Sequence, residues 1–128
     1  AWGTALAASW APHHEVTLWG RNTAELDAMR ASRVNTRYLP GCPLPDALQF
    51  KPDFNAVVDV ADLIVVAVPT SGLRAFLVAL AARPRLPPLV WLCKGLEHGS
   101  RKLPHQLIAE LLTSHTQTAA LSGPSFAQ

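Results

Sequence analysis

No apolar run in this sequence approaches the ~18 residues that a membrane span requires, so the chain is expected to work in solution, without stable membrane insertion. Cysteine is scarce. Cys42 and Cys93 stand far apart, with no Cys-x-x-Cys spacing and no histidine at a metal-binding interval. Neither a disulfide framework nor a zinc site is expected, and a reduced, cytoplasmic setting is the economical reading. His13 and His14 are adjacent, so their side chains diverge and no metal role is assigned to them. Charge of one sign is also lacking, with 11 Lys and Arg against 9 Asp and Glu and a formal charge of +2. The basic residues Arg21, Arg30, Arg33, Arg37, Arg74, Arg83, Arg85, Arg101 and Lys102 are scattered. They form no stripe of the kind that nucleic-acid binding needs, and most read as solvated surface. Residues 1–10 are alanine-rich but have no basic flank and no cleavage site, so they are expected to belong to the fold and not to a signal peptide. There are no internal repeats and no low-complexity linker.

What is there is 128 residues, 49% of them hydrophobic and 16% charged. That is enough for one domain with a real core, and the wrong composition for a disordered tail. Residues 3–10 (GTALAASW) are rich in helix formers and open on a glycine, which suits a helix packed tightly against a sheet; Pro12 ends it. Residues 15–19 (EVTLW) are β-branched and aromatic and stop at Gly20, as a strand does. Asn22 or Thr23 can cap a helix over 24–33 with Leu26 and Met29 on one face. Residues 38–45 (YLPGCPLP) carry three prolines and a glycine and read as a loop. A short strand over 47–50 and a short helix over 54–60, capped by Asp53, follow.

Residues 61–69 (ADLIVVAVP) are apolar without alternation, the mark of a parallel-sheet strand covered on both faces. A helix over 72–82, a turn at 83–88 (RPRLPP) and a buried strand over 89–93 come next, with Cys93 as a small core residue. Leu103, Leu107, Ile108 and Leu111 fall at helical spacing within 100–112, and 118–121 forms a last strand. This alternation predicts an α/β fold: a doubly wound, mostly parallel sheet with helices on both faces. Both ends read as cut. Such a sheet normally opens with an apolar strand before its first glycine turn, and Pro124 suits the first turn of a helix. The expectation is a fragment of a longer protein.

Three segments carry the chemistry. Residues 1–6 (AWGTAL) followed by 18–22 (LWGRN) look like the back half of a dinucleotide-binding βαβ unit, with Gly3 as the third glycine of a G-x-G-x-x-G turn. The amino end of that helix would face a pyrophosphate. Arg21, eighteen residues beyond Gly3 at the end of the next strand, is placed to accommodate the 2′-phosphate of NADP, where an acid would select NAD; a solvated turn arginine is the alternative. Lys94 directly follows the strand over 89–93, at the carboxyl edge where ligands of open sheets collect. It is either a point charge for an anionic substrate or a lysine that snorkels at a strand end. Gly123 and Ser125 offer backbone N–H groups and a hydroxyl at a helix start, an anion site or ordinary turn chemistry.

As a set, AWGTALA (1–7), LWGRN (18–22), NTRYLPG (35–41) with LP at 44–45, ADLIVVAVP (61–69), VWLCKGLE (90–97) and LSGPSFA (121–127) resemble the bacterial-type NAD(P)-dependent glycerol-3-phosphate dehydrogenases, in that family's order and across the whole chain. The resemblance implies a Rossmann-like nucleotide-binding domain over residues 1–128, without its first strand, and a separate helical domain carrying the proton-transferring lysine. It implies reduction of dihydroxyacetone phosphate to sn-glycerol 3-phosphate in the cytoplasm for phospholipid synthesis. The cofactor would be NADP or NAD, with NADP favoured by Arg21, and a homo-oligomer is compatible with it. Carried over by position, Trp2, Gly3, Arg21, Tyr38, Lys94 and Ala127 would contact cofactor. Lys94, Gly123 and Ser125 would contact substrate, and no catalytic acid lies within these residues, so the isolated chain is expected to be inactive. A 3-hydroxyacid or ketopantoate-type dehydrogenase, or a nucleotide-binding domain without catalysis, shares the fold; the paired CKGLE and SGPSFA loops set this sequence apart from them.

Overall fold

Asn22 fixes where the second helix begins. In the computed structural model its side chain accepts a hydrogen bond from the Glu25 N–H (3.2 Å), meeting one of the donors that a helix start leaves unpaired. The structure describes residues 2–113 and 116–123, and the chain divides into two units, Ala1–Val60 and Ala61–Gln128. Among the described residues no helix is long and apolar enough to cross a membrane.

The first unit runs α1 (Trp2–Trp10), β1 (Thr17–Leu18), α2 (Thr23–Ser32), β2 (Val34–Asn35), β3 (Leu39–Pro43), β4 (Gln49–Phe50) and α3 (Phe54–Val60). β1 and β4 pair in parallel, Thr17 opposite Gln49 and Leu18 opposite Phe50. Ala7, Ala11, Leu26, Leu44, Leu48 and Phe50 form the core, with Val16, Leu18 and Met29 packed against it. Burying a leucine such as Leu26 or Leu48 contributes roughly 1.5–3 kcal/mol, which is what holds α2 to this small sheet.

α2 ends where Arg33 turns into the left-handed region (φ 54°), its N–H returning to the Met29 carbonyl (2.9 Å). The same residue then ties down the return segment. Its guanidinium donates to the carbonyls of Pro45 (3.2 Å) and Leu48 (2.8 Å) and lies 5.3 Å from the centre of the Phe50 ring. Arg30 donates to the Phe50 carbonyl (3.0 Å). These two arginines, read from the sequence as solvated surface, are braces of the fold. Planar, multi-donor guanidinium groups suit carbonyls left without strand partners.

The region over 38–45, expected to be a loop, contains a strand. β3 pairs antiparallel with β2, Val34 opposite Pro43 and Asn35 opposite Leu39. Its prolines, Pro40 and Pro43, are tolerated because β2–β3 is a two-stranded sheet in which β3 has one unpaired side, and proline is at home on an edge. α3 spans the expected residues, with Asp53 accepting from the Ala56 N–H (3.1 Å).

The second unit runs β5 (Ile64–Val66), α4 (Thr70–Ala81), β6 (Leu89–Trp91), α5 (Pro104–Leu111) and β7 (Thr118–Ala120). Its three strands are parallel in the order β5-β6-β7. Right-handed crossovers between successive neighbours place both connecting helices on one face, and α4 and α5 do pack together. Leu73, Leu77 and Leu80 on α4 and Leu107 on α5 have no exposed surface; the i, i+4, i+7 spacing of the first three is one helical stripe.

Several elements are shorter than the sequence suggests: the strands expected over 15–19, 47–50, 89–93 and 118–121 keep only Thr17–Leu18, Gln49–Phe50, Leu89–Trp91 and Thr118–Ala120. The strand within 61–69 keeps only Ile64–Val66, because Asp62 and Leu63 are exposed and Pro69 has no N–H to pair. The helix expected from residue 100 begins at Pro104, since Gly99 (φ 95°) and Arg101 (φ 57°) adopt left-handed backbone that a helix cannot continue through.

Candidate functional site

Because β5, β6 and β7 are parallel, their carboxyl ends open on one edge, the side on which ligands of open α/β sheets bind. Trp91 and Ala120 are register partners, and the Leu121 N–H donates to the Trp91 carbonyl (2.9 Å). The segments carrying Lys94 and Gly123 therefore leave adjacent strands side by side. Lys94 is exposed, and its carbonyl accepts a hydrogen bond from the Thr70 hydroxyl (2.6 Å) at the start of α4. Among the described residues its ammonium makes no ion pair or hydrogen bond. Gly95 then turns the chain at φ 90°, a conformation that residues with a Cβ resist. Gly123 is exposed, and a methyl group built on it would meet nothing within 4 Å among the described residues. Ser125 and Ala127, expected contacts to substrate and cofactor, lie outside the described residues. Cys93 is half-buried, with its thiol donating to the Val68 carbonyl (3.1 Å); burial pushes the thiol up from its ordinary value. It is a structural residue and no nucleophile.

Sequence reasoning overlooked the charged cluster behind this loop. Arg74, one turn into α4, grips the Glu97 carboxylate with two parallel bonds, Nε to Oε1 and Nη2 to Oε2, both 2.8 Å. Its third nitrogen reaches Glu110 Oε1 on α5 (3.0 Å), and Lys102 closes on the other Glu110 oxygen. Ser100 also donates to Glu97. Hydrogen bonds from Arg74, and next from Ser100, hold the Glu97 carboxyl at about 2. Lys102 first and then Arg74 lower Glu110, and Glu97 is the main reason the Arg74 guanidinium is raised. The one sequence signal was Glu97 itself, closing the VWLCKGLE stretch; its partners are remote along the chain.

A pH dependence follows from the sign of the Glu97 shift. A carboxylate depressed in the folded state contributes stability in full above its ordinary value near 4.5 and loses it as pH falls to about 2. Glu97→Gln should therefore flatten the fall in melting temperature across that acid window relative to the unaltered chain. Thermal melts at closely spaced pH values check this; parallel curves would show that the pair forms equally in the unfolded chain.

In the first unit, α1 packs on β1 and joins it through a short turn, so its amino end and the carboxyl end of β1 share an edge. Trp2, 68% exposed, and the half-buried Gly3 lie in the first turn of α1, and Arg21 lies just beyond β1. Tyr38, half exposed, sits in the turn between β2 and β3 beneath the Arg37 guanidinium, 4.9 Å from its ring centre. A residue that sequence reasoning did not single out connects these parts. Asn35, buried, donates to the Thr4 hydroxyl of α1 (2.8 Å) and accepts from the Tyr38 N–H (3.1 Å). A buried amide satisfied at both ends rigidifies what it joins, so Asn35 holds the Tyr38 turn to the amino end of α1. Arg21 is exposed and, among the described residues, its side chain has no ion pair or hydrogen bond.

Known proteins resemble this chain along its length. The family model of the NAD-dependent glycerol-3-phosphate dehydrogenase N-terminus matches residues 1–128. A glycerol-3-phosphate dehydrogenase of the NAD(P)+ type from Thiobacillus denitrificans is 66% identical over 128 residues, which are the whole of this chain and 39% of that protein. One from Dechloromonas aromatica is 45% identical with the same coverage. The crystal structure of glycerol-3-phosphate dehydrogenase from Coxiella burnetii superposes with a TM-score of 0.83 at 34% identity, covering 97% of this chain and 38% of that one. The yeast enzyme superposes with a TM-score of 0.77 at 27% identity, covering 95% and 39%. The chain thus spans about two fifths of the length of the relatives it matches. With a parallel α/β fold and a family match along its full length, the chain belongs to the NAD-dependent glycerol-3-phosphate dehydrogenase N-terminal family.

Proposed function

We propose that residues 1–128 are the nucleotide-binding part of a cytoplasmic enzyme that reduces dihydroxyacetone phosphate to sn-glycerol 3-phosphate with NADPH or NADH, supplying a phospholipid precursor. The observation that carries this reading is Lys94, exposed, with an ammonium unengaged among the described residues and a backbone anchored by Thr70 at the carboxyl edge, beside the strand that leads to Gly123. The proton-transferring lysine is assigned to a second, helical domain.

The residues present suit the cofactor. Arg21 offers a guanidinium, unengaged among the described residues, just beyond β1, the position that meets the adenosine ribose in dinucleotide-binding folds. Its fork can take a 2′-phosphate in two bonds, which favours NADPH. Trp2 adds an exposed flat surface next to the amino end of α1, and the Asn35 bridge holds the Tyr38 turn near that same helix end. When bound, the reduced nicotinamide supplies the hydride.

The chain's own part is orientation and charge. Lys94 places positive charge where the ketone oxygen becomes negative. Gly123, which carries no side chain, would let the substrate approach the backbone, and Ser125 would add a hydroxyl. Binding of the phosphate holds the small ketone in place with energy remote from the reacting carbon.

The test is to incubate the two-domain enzyme carrying this chain with each reduced cofactor and dihydroxyacetone phosphate, following the nicotinamide absorbance. Oxidation of the cofactor with this ketone, faster with NADPH, is the expected result. Turnover of ketopantoate or a 3-ketoacid in its place would overturn the substrate assignment, and cofactor binding without any turnover would overturn the enzyme assignment.

A further inference from the structure

Thr70 and Arg74 stand four residues apart on α4, on one face of the helix. Lys94 and Glu97 stand three apart on the loop after β6. The two pairs meet: the Thr70 hydroxyl holds the Lys94 carbonyl at 2.6 Å, and Arg74 holds the Glu97 carboxylate through two bonds of 2.8 Å. Between them lie only Gly95 and Leu96, and Gly95 makes the turn that this spacing requires. Beyond Glu97 the loop is closed on itself, with the Glu97 N–H donating to the Lys102 carbonyl (2.8 Å) and the Arg101 N–H to the Glu97 carbonyl (2.9 Å). Glu110 and Lys102 complete the cluster and fix Arg74 from the side of α5.

Resting on the reading of Lys94 as a substrate contact, we infer that Thr70 and Arg74 are positioning residues: a two-point clamp from α4 that sets the conformation of the Lys94 loop and, through it, the affinity for the phosphorylated ketone. A loop tied at one point can swing about it; a second tie three residues away removes that freedom. The Arg74–Glu97 contact is suited to the task because a bidentate guanidinium–carboxylate pair fixes direction as well as distance. A lysine at position 74 would keep the charge and lose the fork. Glu97 is little exposed, at 13% of its side chain, while Arg74 is exposed at 37%, so it is the two-bond geometry and not burial that sets the pair. Neither Thr70 nor Arg74 needs to touch substrate, and their effect passes through Lys94.

The experiment uses the two-domain enzyme with dihydroxyacetone phosphate and NADPH. Arg74→Lys preserves the charge balance and the packing stem, and Thr70→Val preserves the shape while removing the hydroxyl, so each leaves the fold a fair chance. Both should speed amide hydrogen exchange over residues 95–102 while leaving exchange in β5 and β6 unchanged. Both should raise the KM for dihydroxyacetone phosphate on the order of tenfold, short of the ~100-fold that a 1 Å misplacement can cost, with a smaller change in kcat. A general loss of stability would quicken exchange in the strands as well and leave KM alone; that result, or unchanged loop exchange, overturns the clamp. Lys94→Ala run alongside separates the two levels. If it leaves kcat/KM untouched, the premise that Lys94 meets substrate is overturned; if it is damaging while Arg74→Lys and Thr70→Val are silent, the clamp alone is overturned.

Discussion

On the proposed function, replacing Lys94 with alanine in the proposed two-domain enzyme is expected to lower kcat/KM for dihydroxyacetone phosphate by on the order of 10²- to 10³-fold, the usual result of removing one preorganised group that faces developing negative charge. The magnitude depends on where the charge sits. At an exposed edge, two unit charges ~4 Å apart attract by only ~1 kcal/mol, because water screens them. In a closed site with water excluded, the same ammonium acts at full strength and is already in position. Lys94→Ala in residues 1–128 alone should therefore change nothing measurable, since Lys94 is exposed in this structure. Steady-state kinetics of the two-domain enzyme read the effect. A loss below threefold would remove Lys94 from the reaction, and ketone reduction by residues 1–128 above a Lys94→Ala control would place the chemistry within these residues.

The second large effect concerns the cofactor. Arg21→Asp is expected to weaken NADPH by roughly 10- to 150-fold while leaving NADH little changed, the range that follows from losing a charge-assisted contact of ~1.5–3 kcal/mol. The substitution removes a guanidinium that has no other partner among the described residues, so the loss is not diluted by damage to the fold. It also sets a negative charge against the 2′-phosphate. Arg30 or Arg33 would be poor choices for such a test, because both brace backbone carbonyls around β4. Titration of each reduced cofactor by its fluorescence checks the prediction, and equal losses for both would show that Arg21 does not meet the 2′-phosphate.

Features written in neighbouring residues were legible from the sequence. Asn22 before α2 and Asp53 before α3 announce their helices because a cap and the N–H it satisfies lie three residues apart. The apolar runs that contain β5 and β6 announce parallel strands, and Lys94 follows from its place after one of them. Features created by return of the chain were not legible. The Arg74–Glu97 pair joins residues 23 positions apart, and the Arg74–Glu110 pair residues 36 apart; nothing near Arg74 distinguishes it from a surface arginine. Nothing in the residues around Asn35 marks it as a bridge until α1 is folded against it and Thr4 becomes its partner. β3 was missed because its prolines signal a break, and only its position beside β2 shows that the missing donors cost nothing there.

Those prolines have a consequence for the behaviour of the domain in a crowded solution. A strand with one open side is a template on which a second molecule can add its own strand, the first step of ordered aggregation. The Leu44 N–H turns toward the preceding segment, donating to the Arg33 carbonyl, so on alternation the Pro43 nitrogen faces the open side of β3. There a visitor would meet no N–H, and nearby a bend at Gly41, whose φ is 74°. Five residues would offer it an interrupted ladder. The segment least recognisable as a strand is thus the one that can remain open to solvent without recruiting a neighbour.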